Sequence, residues 1–343
     1  MTSPFDRICI VMLSAIGDTV HVLPVINAIK REYPMAWITW VIEPGPAALV
    51  RGHASIDEII EIDPHRGPSA FAAYRYGLRG KPPFDLLIDL QVALKGGLVT
   101  AVTPATVKLG FDRARARDLN WLFTTSRIEP KARGHVQDQY FEFLTALNIP
   151  AEPIGWQIGP RADERPWQQS FYANLERPVA ALVIGAGDAD REWLPERWAA
   201  VADVLHETYD LEPVMVGGQS YREVTTAIQI QTLARYNVHN ALGSGLRRLV
   251  SILDGAALVV SLDTGPLHIA VALDRPVVSL MAQADPKRTG PYRKYHDLVV
   301  DAFREPGDGD GVIWTRRRGR MALVTVGNVL SRVALWQERY RSF

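Results

Sequence analysis

Short apolar, β-branched runs alternate with helical segments through the first 150 residues. Positions 8–13, 37–42, 58–62 and 86–90 read as strands, and 18–33 and 47–52 as helices. That rhythm predicts a parallel sheet with crossover helices. It breaks between Ile149 and Pro166, where Pro150, Pro153 and Pro160 punctuate a polar stretch. It then restarts, with strands at 179–184, 212–216, 257–262 and 276–280 and helices at 196–209, 221–234 and 247–255. A last helix covers 326–339. The expectation is an α/β chain of two Rossmann-like, doubly wound domains facing each other across a cleft, with ligands outside the carboxyl ends of the strands. Its spans are 1–158 for the first domain, 159–176 for a linker, 177–325 for the second domain and 326–343 for the closing helix.

With 343 residues, 47% hydrophobic and 22% charged, the chain is long enough for two globular domains with a core each. Lys plus Arg equals Asp plus Glu at 38 each, so no overall field draws nucleic acid, and an anionic partner has to be met by a local patch. The single Cys9 excludes an internal disulfide and a cysteine-based zinc site, which points to a reducing cytoplasm. The first residues carry Asp6 ahead of about six apolar positions, too few for a signal peptide, and no run reaches the roughly 18 apolar residues of a membrane span. Association with a membrane surface stays open.

The candidate chemistry falls at predicted strand ends. Asp263-Thr264-Gly265 joins an apolar strand to a helix of small residues. Gly265 permits close backbone approach, Thr264 offers a hydroxyl and an N–H, and the helix start carries partial positive charge, which together suit a phosphate. The alternative is an ordinary turn with a capping Asp or Thr. Asp18, in Ser14-Ala15-Ile16-Gly17-Asp18, is either a general base for an acceptor hydroxyl or a helix cap, and a helix start works against basicity. Arg191 follows Gly185-Ala186-Gly187 and reads either as a phosphate ligand that stabilises a departing diphosphate or as a solvated arginine beside Asp188, Asp190 and Glu192. Asp190 stands where a dinucleotide fingerprint needs its third glycine, which counts against nicotinamide binding.

These residues, with His21, Pro24, Asp89-Leu90-Gln91, 110–113, His135, Trp193, Trp198, Gly217-Gly218, His268 and the run 285–292, resemble the heptosyltransferases of glycosyltransferase family 9 in order and spacing. The resemblance runs nearly end to end. It implies the GT-B architecture and a cytoplasmic bacterial enzyme of lipopolysaccharide core biosynthesis, at most peripheral to the inner membrane. The implied reaction is an inverting, metal-independent transfer of a heptose, or a related sugar, from a nucleotide diphosphate donor, ADP-heptose foremost, to an anionic saccharide or lipid-linked saccharide. No cofactor is implied beyond that donor.

By the same resemblance Asp18 is the base, and Thr264 and Gly265 bind the diphosphate with Gly187 and His268 nearby. Asp263 lies beside the donor sugar, and Arg191 replaces a lysine. The resemblance puts Tyr221 where the family carries its ribose-binding glutamate, with Glu223 two positions on, and a phenol cannot grip two ribose hydroxyls as a carboxylate can, which leaves the donor nucleotide open. Lys95, Arg113 and Arg117, with Arg115 between, fall in segments that meet an acidic acceptor; a solvated face or a patch near anionic lipid is the other reading. His21 and His268 lack a second ligand at metal spacing and read as helix-packing or hydrogen-bonding residues. Trp37, Trp40 and Trp121 read as core or interface fillers. Domain closure would assemble the site and exclude water. The alternative functions are a GT-B nucleotide-sugar epimerase, a nucleotide-sugar-binding module with catalysis lost, and a glycosyltransferase working on a different bacterial surface glycan.

Overall fold

The apolar runs of the first half all point the same way, because each strand is followed by a segment long enough to carry the chain back to the end from which it started. The computed structural model describes residues 4–341, and the chain divides into a unit ending at Gln157 and another beginning at Ile158. The first unit runs β1 (Arg7–Val11), α1 (Ile16–Glu32), β2 (Trp37–Ile42), α2 (Pro44–Val50), β3 (Glu58–Glu61), α3 (Pro68–Gly77), β4 (Phe84–Asp89), α4 (Leu94–Val102), β5 (Ala105–Gly110), β6 (Ser126–Arg127) and α5 (Val136–Ala146). Its sheet has the order β3-β2-β1-β4-β5-β6, every pair parallel. β1 is central, with Cys9 opposite Thr39 on one side and Leu87 on the other. Ile8, Cys9, Ile10 and Val11 are all fully buried, as a strand covered by helices on both faces requires.

The second unit repeats the plan. It runs α6 (Arg165–Ala173), β7 (Val179–Val183), α7 (Pro195–Glu207), β8 (Glu212–Val216), α8 (Tyr221–Leu233), β9 (His239–Asn240), α9 (Leu246–Gly255), β10 (Leu258–Leu262), α10 (Gly265–Ala272), β11 (Val277–Met281), α11 (Pro286–Thr289), β12 (Val299–Asp301) and α12 (Val326–Arg339). The order β12-β11-β10-β7-β8-β9 is again all parallel. β7, β8, β10 and β11 are buried along their whole length.

In each unit the chain lays strands to one side of its first strand and then crosses to the other. The strand order therefore reverses between β1 and β4, and between β7 and β10. A crevice opens at the carboxyl ends of such a pair, because the two connections leave in opposite directions.

Two expectations need correction. The stretch 159–176 is not a bare linker: α6 lies within it and is built into the second unit. There Gln168 donates to Ser251 O at 2.8 Å and to Asp254 at 2.9 Å, and Arg165 pairs with Asp254 at 2.8 Å. Pro166 is tolerated because it sits in the first turn of that helix, where its missing N–H costs nothing. Trp37 is not core: it is 47% exposed, since it opens β2 at the sheet's amino end, ahead of the five buried positions that follow. Trp40 is fully buried and donates to Met12 O at 2.9 Å.

Candidate active site

The sequence-selected residues follow strand ends in each unit: Asp18, Lys95, Arg191, Asp263, Thr264 and Gly265 lie beside the strand-order reversals, whereas Arg113 and Arg117 follow β5 and Tyr221 follows β8. In the first unit β1 leads through Leu13 and Ser14 into α1, whose third residue is Asp18. The Asp18 carboxylate is half-buried and held at both oxygens: Oδ2 accepts from Ala15 N–H at 3.1 Å, and Oδ1 accepts from the phenol of Tyr140 at 2.9 Å. Asp18 therefore does satisfy the start of its own helix, as a cap residue would. The second bond comes from α5, 122 positions away, and serves no helix end. Tyr140 is 5% exposed.

Behind this turn lies a buried polar network. Gln91 Oε1 accepts from Leu13 N–H at 3.1 Å, and Gln91 N–H donates to Asp89 at 3.0 Å. Asp89, at the end of β4, also accepts from Thr100 at 2.9 Å and Asn120 at 3.1 Å. Burial pushes its carboxyl up to about 7 despite those donors. His21 Nδ1 lies 2.9 Å from Gln137 Oε1, and burial holds the imidazole down at about 4.

Lys95, at the start of α4, donates to the Ser14 hydroxyl and pairs with Glu43 at 2.8 Å. Glu43 follows β2, so three strand ends contribute to this cluster, and nothing local in the sequence marks Glu43. Arg113 and Arg127 both lie over the Trp121 ring, at 4.5 and 5.4 Å from the ring centre. Arg113 and Arg117 are exposed. Arg115 is not: it is 5% exposed and bound to Asp112, Glu142 and the Glu129 carbonyl, so it is a structural residue and does not face an acceptor.

In the second unit, Asp263-Thr264-Gly265 leads from β10 into α10. Thr264 is the N-cap, yet its side chain makes no capping bond; the hydroxyl donates back to Leu262 O at 3.3 Å. Asp263 is 5% exposed. Burial pushes its carboxyl up, against the pull of Arg191 and Arg288. Arg191 sits in a 3-10 turn, Ala189–Arg191, after β7. Its Nη1 donates to Asp263 O at 2.7 Å and its Nε to Gln283 Oε1 at 2.6 Å.

The carboxylates nearest Arg191 in sequence are taken by other cations. Arg222 pairs with Glu192 at 3.0 Å, Arg316 with Asp188 at 3.9 Å and Arg318 with Asp190 at 3.5 Å. Arg191 is thereby fixed across the strand-order reversal beside the start of α10. Gly187 faces open space. His268 is 8% exposed on α10.

Tyr221 is 86% exposed at the start of α8. Glu223, two residues on, turns inward. Its Oε1 accepts from Gly218 N–H at 2.7 Å, and Oε2 from Ser220 N–H at 3.0 Å and Ser220 Oγ at 2.6 Å. A Cβ on Gly185 would collide with this carboxylate. Glycine at 185, after β7, thus makes room for Glu223 at the carboxyl end of the sheet. Among the described residues no group of three or more His, Cys, Asp or Glu is placed to hold a metal ion.

Two doubly wound α/β units in one chain, with charged side chains collected at each strand-order reversal, define the GT-B architecture. A glycosyltransferase family 9 (heptosyltransferase) model matches residues 73–305. The chain is 28% identical over 299 residues to the lipopolysaccharide core heptosyltransferase OpsX of Haemophilus influenzae, covering 87% of this chain and 85% of that protein. It is 26% identical to lipopolysaccharide heptosyltransferase 1 of Escherichia coli K12, covering 87% and 94%. Among solved structures, a family 9 glycosyltransferase from Veillonella parvula superposes with a TM-score of 0.81 at 20% identity, covering 96% of each chain. E. coli heptosyltransferase WaaC with ADP gives 0.75 at 24%, covering 96% and 99%. The chain belongs to glycosyltransferase family 9, the heptosyltransferase family, and is a glycosyltransferase.

Proposed function

We propose that this enzyme transfers a heptose from ADP-heptose to a saccharide of the lipopolysaccharide core, with inversion at the anomeric carbon. The observation that carries the reading is the Arg191 guanidinium bonded to Asp263 O at 2.7 Å, which sets a fixed positive charge beside the uncapped first turn of α10. Such a pairing suits a diphosphate that gains charge as it departs. The curated relatives are named as lipopolysaccharide heptosyltransferases, and one solved neighbour is described as WaaC with ADP and another as WaaC with ADP-2-deoxy-2-fluoro heptose.

In this reading Asp18 takes the proton of the acceptor hydroxyl while that oxygen forms its bond to the anomeric carbon. The bond from that carbon to the diphosphate oxygen breaks with its electron pair, and the charge is met by Arg191 and the backbone N–H groups of Thr264 and Gly265. Asp263 lies against the donor sugar, His268 backs the turn, Gly187 leaves room for the donor, and Tyr221 and Glu223 border the ribose. Lys95, Arg113 and Arg117 receive an anionic acceptor. The reading needs no metal and no cofactor besides the donor. It places the enzyme in the cytoplasm with peripheral contact at the inner membrane surface; no helix among the described residues is long and apolar enough to cross a membrane.

The test is incubation of the protein with ADP-heptose and a heptose-free lipopolysaccharide core saccharide, read by mass spectrometry. One added heptose supports the reading, and Asp18→Asn should abolish the product while ADP still binds. Conversion of donor in the absence of acceptor would point to an epimerase. ADP binding with no turnover of any acceptor would point to a binding module.

A further inference from the structure

The match to the family model ends at residue 305, but the second unit continues into a segment, 306–320, that returns to the β7–β10 reversal. Several anchors hold it. Asp285 is fully buried and accepts from Arg304 at 2.8 Å and from Ile313 N–H at 2.8 Å. Arg288 stacks on Trp314 at 4.1 Å. Arg317 turns back to Asp308 at 2.7 Å and to Phe303 O at 2.7 Å.

Exposure alternates along 316–318: Arg316 and Arg318 are exposed and Arg317 is half-buried. Arg317 is anchored by its bonds to Asp308 and Phe303 O, while the side chains of its two neighbours stay exposed.

Those neighbours face the turn that carries Arg191. Arg316 lies 3.9 Å from Asp188 and Arg318 3.5 Å from Asp190. One buried residue ties the parts together. Gln283, 2% exposed, accepts Arg191 Nε on its amide oxygen, donates its amide N–H to Asp188 Oδ2 at 2.9 Å, and accepts Arg317 N–H on its backbone carbonyl at 3.1 Å. Gln283 therefore links the 316–318 segment to Arg191, alongside the two surface pairs. Arg316 is also felt electrically at the end of β10, since it, Arg191 and Arg288 all favour the charged form of Asp263.

We infer that Arg316 is a second cationic ligand of the donor's diphosphate, delivered to the site by a segment beyond the family match, with Arg318 adding charge at its edge. This rests on the donor reading above. The pairs of Arg316 and Arg318 with Asp188 and Asp190 are long and solvent-exposed, the kind that holds side chains weakly. A diphosphate carries more charge than one carboxylate and can equally be met by both arms of the guanidinium, so it draws that group away from Asp188.

The experiment is calorimetric titration of the full chain with ADP and with AMP at two salt concentrations. Arg316→Ala should weaken ADP binding about tenfold, Arg316→Lys should restore part of it, and the loss should shrink as salt rises. AMP, lacking the β-phosphate, should lose less. Both positions are exposed, so the variants keep the fold, which unchanged melting temperatures establish. Wild-type affinity for ADP in folded Arg316→Ala overturns this inference while leaving the donor reading standing. A wild-type protein that binds neither nucleotide overturns the donor reading, and this inference with it.

Discussion

Tyr140 donates its phenolic proton to Oδ1 of Asp18 at 2.9 Å, joining α5 to the first turn of α1. The phenol is buried and the carboxylate half-buried, so this bond fixes which way Asp18 faces. A base that must meet one hydroxyl in one geometry depends on such positioning. Tyr140→Phe keeps the ring and removes only the donor. We expect kcat to fall about tenfold, the size of one hydrogen bond to a charged group partly expressed in the transition state, with ADP affinity unchanged. Initial rates and calorimetry on the same preparation test this, and an unaltered kcat would leave Tyr140 as mere packing.

Glu223 and Tyr221 make opposite predictions about the nucleotide. The Glu223 carboxylate bridges Gly218 and Ser220 at the carboxyl end of the sheet, whereas Tyr221 points to solvent. A carboxylate can accept from both hydroxyls of a ribose, and a phenol cannot. Glu223→Gln should therefore weaken ADP binding about tenfold, and Tyr221→Phe should leave it within twofold. Gly185→Ala should behave like Glu223→Gln, because its Cβ displaces the same side chain. Should Tyr221→Phe prove the damaging change, the ribose contact belongs to the tyrosine.

The α/β alternation was legible because strands buried on both faces leave near-continuous apolar runs, as β7, β10 and β11 do. β6 and β9, of two residues each, carry no period to read. α6 was hidden by the prolines around it, although Pro166 at its start is a helix signal. At the site, Asp18, Arg191, Asp263 and Thr264 could be picked out because they follow strands. Their partners could not. Tyr140, Gln283 and Glu43 lie 122, 92 and 52 positions from Asp18, Arg191 and Lys95, and charge neighbours in sequence leave two readings open that only the fold separates: Arg191 sits among Asp188, Asp190 and Glu192 yet its side chain donates to Gln283 and the Asp263 carbonyl.

Two buried groups of the first unit pull its pH dependence in opposite directions. Burial raises Asp89 to about 7, so the native state binds that proton more tightly than the unfolded chain. Its contribution is complete below about pH 4 and is lost as pH rises through 7. At about 1.4 kcal/mol per unit, the ceiling is about 4 kcal/mol. Burial lowers His21 to about 4, so its contribution is complete above about pH 6.5 and is lost as pH falls toward 4. The two slopes offset one another between pH 4 and 6.5. Asp89→Asn should expose the His21 slope, with melting temperature falling steeply on acidification. His21→Gln should expose the Asp89 slope, with melting temperature falling as pH rises. Parallel profiles for wild type and both variants would mean that neither group changes its proton affinity on folding.

Arg113, Arg115 and Arg117 alternate along one segment, but burial separates their roles. Arg115 holds Asp112 and Glu142 inside the unit. Replacing it with Met strands two carboxylates away from water, and breaking a buried pair in that way costs about 3–5 kcal/mol. For a unit of this size that lowers the melting temperature by roughly 10 °C. Arg113 and Arg117 are exposed, and an exposed cation seldom contributes more than about 1 kcal/mol. Arg113→Ala and Arg117→Ala should therefore melt close to wild type while raising KM for an anionic acceptor severalfold, with donor affinity unchanged. Thermal melts paired with acceptor titrations separate the two roles. A wild-type melt for Arg115→Met would return that arginine to the surface, and an unchanged acceptor KM in the double variant of Arg113 and Arg117 would take the acceptor away from this face.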